Sequence, residues 1–291
     1  MRATECHSSL MHALSVCTVG PVVHTLPEGE LVVGVTSLAG EIYVLRPKER
    51  DQIEVYDVVT YRLLHCLTVP DCRFFTDMTS CEHYRCIYVA NHVAECVHRV
   101  DVGLQGDYAT QWAVNDKPNG LSVNRAHNVL VTCRNVRKIK EFSSHGEVLH
   151  KVTFPDDVTN PWHAVQLKSG QFIVCHSDLD NSVHHVSVIS ADGRLIVHSH
   201  GGQRGSETDQ FGKPRHLAVD SNEFVFVADF DNRRVTMLSP ALNRVHQILS
   251  RDELKGGPDR LCLDVQRRRL LVADNESKDG RKKGRVVVFS V

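Results

Sequence analysis

Histidine, arginine and aspartate at a few recurring places are the residues of this chain equipped to do chemistry. Eighteen histidines stand in 291 residues, and two of them, His163 and His216, lie two positions after a proline, Pro161 and Pro214. The same offset from Pro118 gives Gly120, and from Pro258 gives Arg260. Catalytic zinc is held by about three protein ligands with a fourth position open, and these places supply only two histidines. His184-His185 and His198-Ser199-His200 form two further pairs. His198 and His200 would share one face of an extended strand, but no third ligand falls at a fitting spacing, so these four are expected on the surface or in a groove. No metal and no other cofactor is predicted. The ten cysteines include no CxxC pair, and Cys86, Cys133, Cys175 and Cys262 sit within apolar runs, where a small thiol packs as a hydrophobe. Their dispersal predicts reduced thiols in a cytoplasmic protein.

The second available chemistry is phosphate binding. Basic residues gather as Arg134, Arg137, Lys138 and Lys140, as Arg233 and Arg234, as Arg267 to Arg269, and as Arg281, Lys282, Lys283 and Arg285. Arg134, Lys138, Arg233 and Lys282 are the set able to grip RNA. Asp178, Asp180, Asp231, Glu276 and Asp279 interrupt them, and Lys+Arg 34 against Asp+Glu 35 leaves a net charge of -1. Such a balance gives no long-range field for DNA or an acidic membrane, so neither is expected as a partner. No run of about 18 apolar residues is present to span a bilayer. The first residues, with Glu5 and His7, lack the apolar stretch of a secretory leader.

Short strands must position these groups. Apolar runs recur as EIYVLR, CIYVAN, NVLVTC, QFIVCH, EFVFVAD and RLLVAD, and their valines at 44, 89, 131, 174, 227 and 272 are spaced by 45, 42, 43, 53 and 45 residues. One four-stranded propeller blade takes about 40–50 residues. Within a period the polarity alternates with the two-residue repeat of strands, and breakers such as Asp192-Gly193 separate them. The fold is therefore predicted as all-β, a six-bladed β-propeller in one domain over 1–291, with units at roughly 30–69, 74–114, 118–154, 161–200, 214–249 and 258–291 plus 13–19. The last unit is one strand short. The N-terminal segment, Ala13 to Val19 followed by Val22-Val23, is predicted to pair beside Gly284 to Ser290, closing the ring and removing exposed edges.

The segment GGQRGSETDQFGKPRHLAVDSNEFVFVADFDNRRVTML, Gly201 to Leu238, resembles the NHL repeat, with weaker copies from Pro118, Asn160 and Pro258. The resemblance implies a recognition propeller of the kind found at the C-terminal end of tripartite-motif ubiquitin ligases, where it binds proteins or RNA. The closely spaced Cys and His pairs of a RING or B-box are missing from this sequence. The family also includes a zinc-dependent peptidylglycine lyase, but the residues after the prolines here are Asn119, Trp162, Arg215 and Asp259, so that enzyme's histidines have no counterparts. Asn119-Gly120-Leu121 and Pro258-Asp259 resemble motifs of calcium-dependent gluconolactonases. Arg260 replaces the expected glycine there and no N-terminal glutamate is placed, which leaves the oxygen ligand set incomplete.

In a propeller, the loops entering inner strands and leaving second strands converge on one face. Thr76 and Asp77, Asn119 and Gly120, Trp162 and His163, Arg215 and His216, and Asp259 and Arg260 mark the entrances, while Arg46, Asn91, Cys133, His176, Asp229 and Asp274 mark the exits. Asp229 with Arg234 is expected to fix a turn, as is Asp274. The function predicted is a non-enzymatic module that binds a protein or peptide through this face, with substrate selection for a ubiquitin ligase as one such use. Its contact set is Trp162, His163, Arg215, His216, Asp259 and Arg260, because aromatic and arginine anchors dominate interfaces. RNA binding is the second reading and a calcium-dependent lactonase the third.

Overall fold

A computed structural model describes residues 20–47, 52–69, 74–103, 108–243 and 245–291. Its regular structure is strand throughout, apart from one 3-10 turn at Arg134–Val136. Six antiparallel sheets of four strands follow one another along the chain. Their inner strands are Gly34–Leu38, Phe75–Cys81, Pro118–Val123, Asn160–Gln166, Pro214–Val219 and Gly257–Asp264, here blades 1 to 6. Each packs against the inner strand of the next blade, and blade 6 packs against blade 1. The sheets form a closed ring around a channel.

The continuous apolar runs seen in the sequence are the second strands. Glu41–Arg46, Cys86–Asn91, Val129–Cys133, Phe172–Ser177 and Val225–Asp229 are almost wholly buried, because neighbouring blades cover both faces and alternation is no longer needed. Tyr43, Leu45, Ile53 and Val55 of blade 1, for example, pack on Met78, Ile87, Val89 and Val100 of blade 2. Each such side chain contributes on the order of 2 kcal/mol of burial free energy. Outer strands such as Leu63–Thr68 and Val148–Thr153 face water along most of their length.

The sixth blade takes its outer strand from the N-terminal side. Val22–Thr25 pairs antiparallel with Arg281–Ser290, Val22 opposite Phe289 and Thr25 opposite Val287. The predicted Ala13–Val19 pairing lies outside the described residues; the strand that closes the ring is the one just after it. Buried polar groups fasten this joint. The Asn275 amide donates to Val32 O at 2.8 Å and accepts from Val32 N at 2.9 Å. Arg46, fully buried, donates to Gly284 O at 3.0 Å, Pro27 O at 2.9 Å and Glu30 O, and pairs with Glu54 at 2.9 Å.

The one long spacing between repeats is the loop at 204–213, which joins blades 4 and 5. Asp229 accepts from Gly212 N and Lys213 N at 2.8 Å each and from Arg234 Nε at 2.9 Å. Arg234 in turn donates to the carbonyls of Ser206, Glu207 and Gln210. Asp274 does the same for the loop before blade 6, accepting from Lys255 N, Gly256 N and Arg285 Nε. One expectation fails within blade 4. His184, expected on the surface or in a groove, is buried at 1% exposure in the third strand Val183–Ile189, where its side of the strand packs inward while His185 on the other side stays partly open.

Candidate functional site

Five of the six inner strands begin with a β-bulge. Register shifts fall between Phe75 and Asp77, Pro118 and Gly120, Pro161 and His163, Pro214 and His216, and Pro258 and Arg260. A bulge leaves one residue unpaired and re-aims its neighbours, so two consecutive side chains become available at each entrance. The unpaired residues are Thr76, Asn119, Trp162, Arg215 and Asp259. The residues after them form a column around the channel mouth, Asp77, Gly120, His163, His216 and Arg260, with Gly34 as the blade 1 member opposite Leu45. Close approach demands the glycine of blade 3: a Cβ on Gly120 would lie 2.7 Å from Trp162 O and 2.9 Å from His163 Cδ2.

Asp77 is the hub of the column, 1% exposed and 4.0 Å or less from groups of four other blades. Its Oδ1 accepts from Arg260 Nε at 3.0 Å, and its Oδ2 accepts from Leu121 N at 2.7 Å. Oδ2 also faces His216 Nε2 at 3.6 Å and His163 Nε2 at 4.0 Å. Burial pushes this carboxyl up, but His216, Arg260 and His163 outweigh it and hold the pKa down at about 2. The two imidazoles stack with centroids 3.8 Å apart. Burial and the neighbouring His216 push His163 down to about 3, against the pull of Asp77, so it is neutral at physiological pH.

Asp77, His163 and His216 offer donor atoms within 4.8 Å of one another, a two-histidine, one-carboxylate set. The protons decide what it does. Leu261 N donates to His216 Nδ1 at 3.3 Å, which puts the proton of the neutral ring on Nε2, toward Asp77. His163 Nε2 lies 2.9 Å from the Leu121 carbonyl and must donate to it. Both nitrogens nearest the carboxylate are therefore N–H donors, and a metal ion would have to displace a proton from each. In this arrangement the Asp77 carboxylate is solvated by the Leu121 N–H and the Arg260 guanidinium, with the two imidazoles facing it from 3.6 and 4.0 Å. Arg260 extends it: the guanidinium also donates to Asp259 Oδ1 at 2.8 Å and to Thr76 O, while Arg215 Nη1 reaches Asp259 Oδ1 at 3.0 Å and Asn275 Nδ2 reaches Asp259 Oδ2 at 3.1 Å. Two arginines and two aspartates balance in charge and tie blades 2, 5 and 6 across the mouth.

A different balance holds beside them. Trp162 is half-buried, with Arg134 Cζ 3.9 Å, Lys213 Nζ 5.5 Å and Arg215 Cζ 5.9 Å from its ring centroid. Arg215 also stacks on Phe230 at 3.5 Å. Arg215 has Asp259, but among the described residues Arg134 and Lys213 have no carboxylate within salt-bridge distance; Arg134 Nε reaches only Asn160 Oδ1 at 3.3 Å. Burial lowers the pKa of both, and the charge of Arg215 lowers each further. Two donors of the cluster, Trp162 Nε1 and Arg215 Nε, are buried without a hydrogen-bond partner.

The structure thus divides the residues expected from sequence. Trp162 and Arg215 are partly open and belong to the basic aromatic cluster; His163 and His216 stack in the column, where Arg260 holds Asp77 and the bulge residue Asp259. Of the RNA set, Arg134 joins Trp162, half-buried Lys138 starts the next strand of the same blade, and Arg233 and Lys282 are exposed on blades 5 and 6. Asn119, of the lactonase reading, donates to Trp162 O at 2.8 Å. Sequence reasoning missed Lys213 and Phe230, loop residues within the repeat-like segment Gly201 to Leu238, and passed over Asp77 as hub although its place in the column marks it. Below the column runs a channel cavity of about 260 Å³, lined by His163 and His216 with Thr36, Ser80, Ser122 and Cys262.

No protein-family model matches the chain, and no curated protein matches it in sequence. Solved propellers share its fold. The PQQ-bound aldose sugar dehydrogenase of Streptomyces coelicolor superposes with a TM-score of 0.68 at 12% identity, over 93% of this chain and 97% of that one. Virginiamycin B lyase of Staphylococcus aureus gives 0.59 at 8% identity over 91% and 98%, and the Cps50 (Swd1) β-propeller domain of Myceliophteria thermophila gives 0.58 at 10% over 94% and 99%. At these identities the likeness is one of fold, and the chain is an all-β, six-bladed propeller. Among the described residues no helix is long and apolar enough to cross a membrane.

Proposed function

We propose that this propeller is a non-enzymatic recognition module that binds a protein or peptide partner at its entrance face, in the sector of blades 3 to 5. One observation supports this reading above the others: Trp162 stands half-open at the mouth with Arg134, Lys213 and Arg215 gathered on it. Aromatic and arginine side chains held rigid in this way are the usual anchors of an interface, since little side-chain entropy is lost on binding. The resemblance of Gly201 to Leu238 to NHL repeats agrees with a recognition role. The carboxylates of the mouth, by contrast, are held by fixed donors, Asp77 by Leu121 N and Arg260, and Asp259 by Arg215, Arg260 and Asn275, which suits them to a structural role more than to proton transfer.

Affinity capture with the full chain tests the proposal. Polypeptides retained by the wild type should be lost with Trp162→Ala and kept with a substitution on the far face, Arg125→Ala. Retention that disappears on ribonuclease treatment would overturn it in favour of RNA, as would equal retention by Trp162→Ala.

A further inference from the structure

We infer that the Trp162 sector is an oxyanion subsite, built to take the phosphate or carboxylate of an acidic segment in the partner. The inference rests on the recognition reading and adds the chemistry of what is recognised. Three cations converge on one indole, and neither Arg134 nor Lys213 has a carboxylate within salt-bridge distance among the described residues, Asp231 acting on Lys213 only from farther off. The nearest acids are engaged elsewhere: Asp259 by Arg215 and Arg260, and Asp231 by Arg204 at 2.5 Å. Like charges gathered in a partly desolvated place repel, and burial together with Arg215 depresses both remaining cations. An entering anion relieves that repulsion and gains charge-assisted hydrogen bonds.

The donors are in place for it. Among the described residues, both terminal nitrogens of Arg134, the Lys213 ammonium and the Arg215 Nε have no hydrogen-bond partner, and the last is buried, as is the unpartnered Trp162 Nε1. A buried donor left unmatched costs free energy until an acceptor arrives. The supports are rigid: Arg134 sits on the 3-10 turn, Trp162 and Arg215 are bulge residues, and the Lys213 backbone is clamped by Asp229.

Size argues for a short acidic peptide over RNA. Several other basic groups of this face are paired, Arg137 with Asp156, Lys283 with Glu28, Arg285 with Asp274 and Arg234 with Asp229, while Lys138, Arg233 and Lys282 have no ion pair among the described residues and stand on blades 3, 5 and 6. Among the described residues, the cations that gather on the Trp162 ring are Arg134, Lys213 and Arg215, which makes one compact pocket, where a nucleic-acid strand needs a charged groove that tracks several phosphates.

Three synthetic peptides identical except at two central positions, carrying serines, phosphoserines or glutamates, separate the cases when titrated calorimetrically into the full chain at about 50 mM salt. Both acidic peptides should bind and the serine peptide should not. Arg134→Ala and Lys213→Ala should each weaken binding about tenfold, with Lys282→Ala unchanged. Tighter binding of the phosphoserine peptide assigns phosphate, and equal binding assigns the carboxylate; either supports the subsite. Because the chain has only two tryptophans, Trp112 and Trp162, a titratable fluorescence change that vanishes in Trp162→Phe locates the event. No binding of either acidic peptide, undiminished binding by the Arg134→Ala, Lys213→Ala variant, or tighter binding of a uridine oligonucleotide would overturn the inference. If partner capture still depends on Trp162 while both acidic peptides are silent, the subsite falls and the recognition role stands.

Discussion

Replacing Asp77 by alanine is expected to destabilise the protein by about 3 kcal/mol, the lower end for breaking a buried ion pair, because Arg260 keeps Asp259 at 2.8 Å but must then share it with Arg215. Arg260 would lose the carboxylate at 3.0 Å while staying 13% exposed, and the Leu121 amide would lose its acceptor at 2.7 Å. The loss should spread beyond one blade, since Arg260 belongs to blade 6 and Leu121 to blade 3. Urea unfolding at neutral pH measures it as a lower midpoint with an unchanged slope. The double substitution Asp77→Ala, Arg260→Ala should cost clearly less than the sum of the two single ones, because each single change already removes the contact between them at 3.0 Å. Additive losses would show that the two residues act independently and that the column is not one unit.

Acid should unfold the protein well above the range of its carboxylates. His163 and His176 are buried, and burial holds both near pKa 3, His163 aided by His216 and His176 by His185 and His184. In the unfolded chain each titrates at about 6.5. As pH falls below 6.5 the unfolded state therefore takes up protons that the fold refuses, and stability declines down to about pH 3. Each group contributes up to about 1.4 kcal/mol per pH unit, so the pair costs on the order of 5 kcal/mol between pH 6.5 and 4.5. His184, His185 and His200, lowered mainly by burial, act in the same direction. Asp77 works in another window: its pKa is depressed, so its contribution is complete above about 3.8 and is lost only below that. Melting temperatures from pH 7.5 to 4.5 should fall steadily, and His176→Gln should flatten the slope. A level profile over that range would refute the assignment of neutral, buried imidazoles.

The ring and its count of blades were legible because the fold repeats a local pattern. Six buried second strands, each ending in a near-continuous apolar run, recur at a blade's length, and the shortfall of one strand at Val291 pointed to closure from the N-terminal side. The mouth was legible in part. Prolines marked the bulges, so Trp162, Arg215, Asp259 and Arg260 could be placed at the entrances. What each residue touches there could not be read, because a column is a relation between blades: Arg260 meets Asp77 across 183 positions of sequence. Nor does the repeat mark Lys213 and Phe230, which come from turns whose lengths differ between blades. His184 was misplaced because two adjacent histidines look polar as a pair, although a strand sends one of them to each side.

Hydrogen exchange of the full chain with and without a captured partner tests the central claim most directly. Protection is predicted at 133–138, 160–163 and 211–215, the backbone that carries Arg134, Trp162, Lys213 and Arg215, with the turns at 82–85, 124–128 and 220–224 on the far face unchanged. Protection of those far turns with the Trp162 sector left exchanging as before would contradict it.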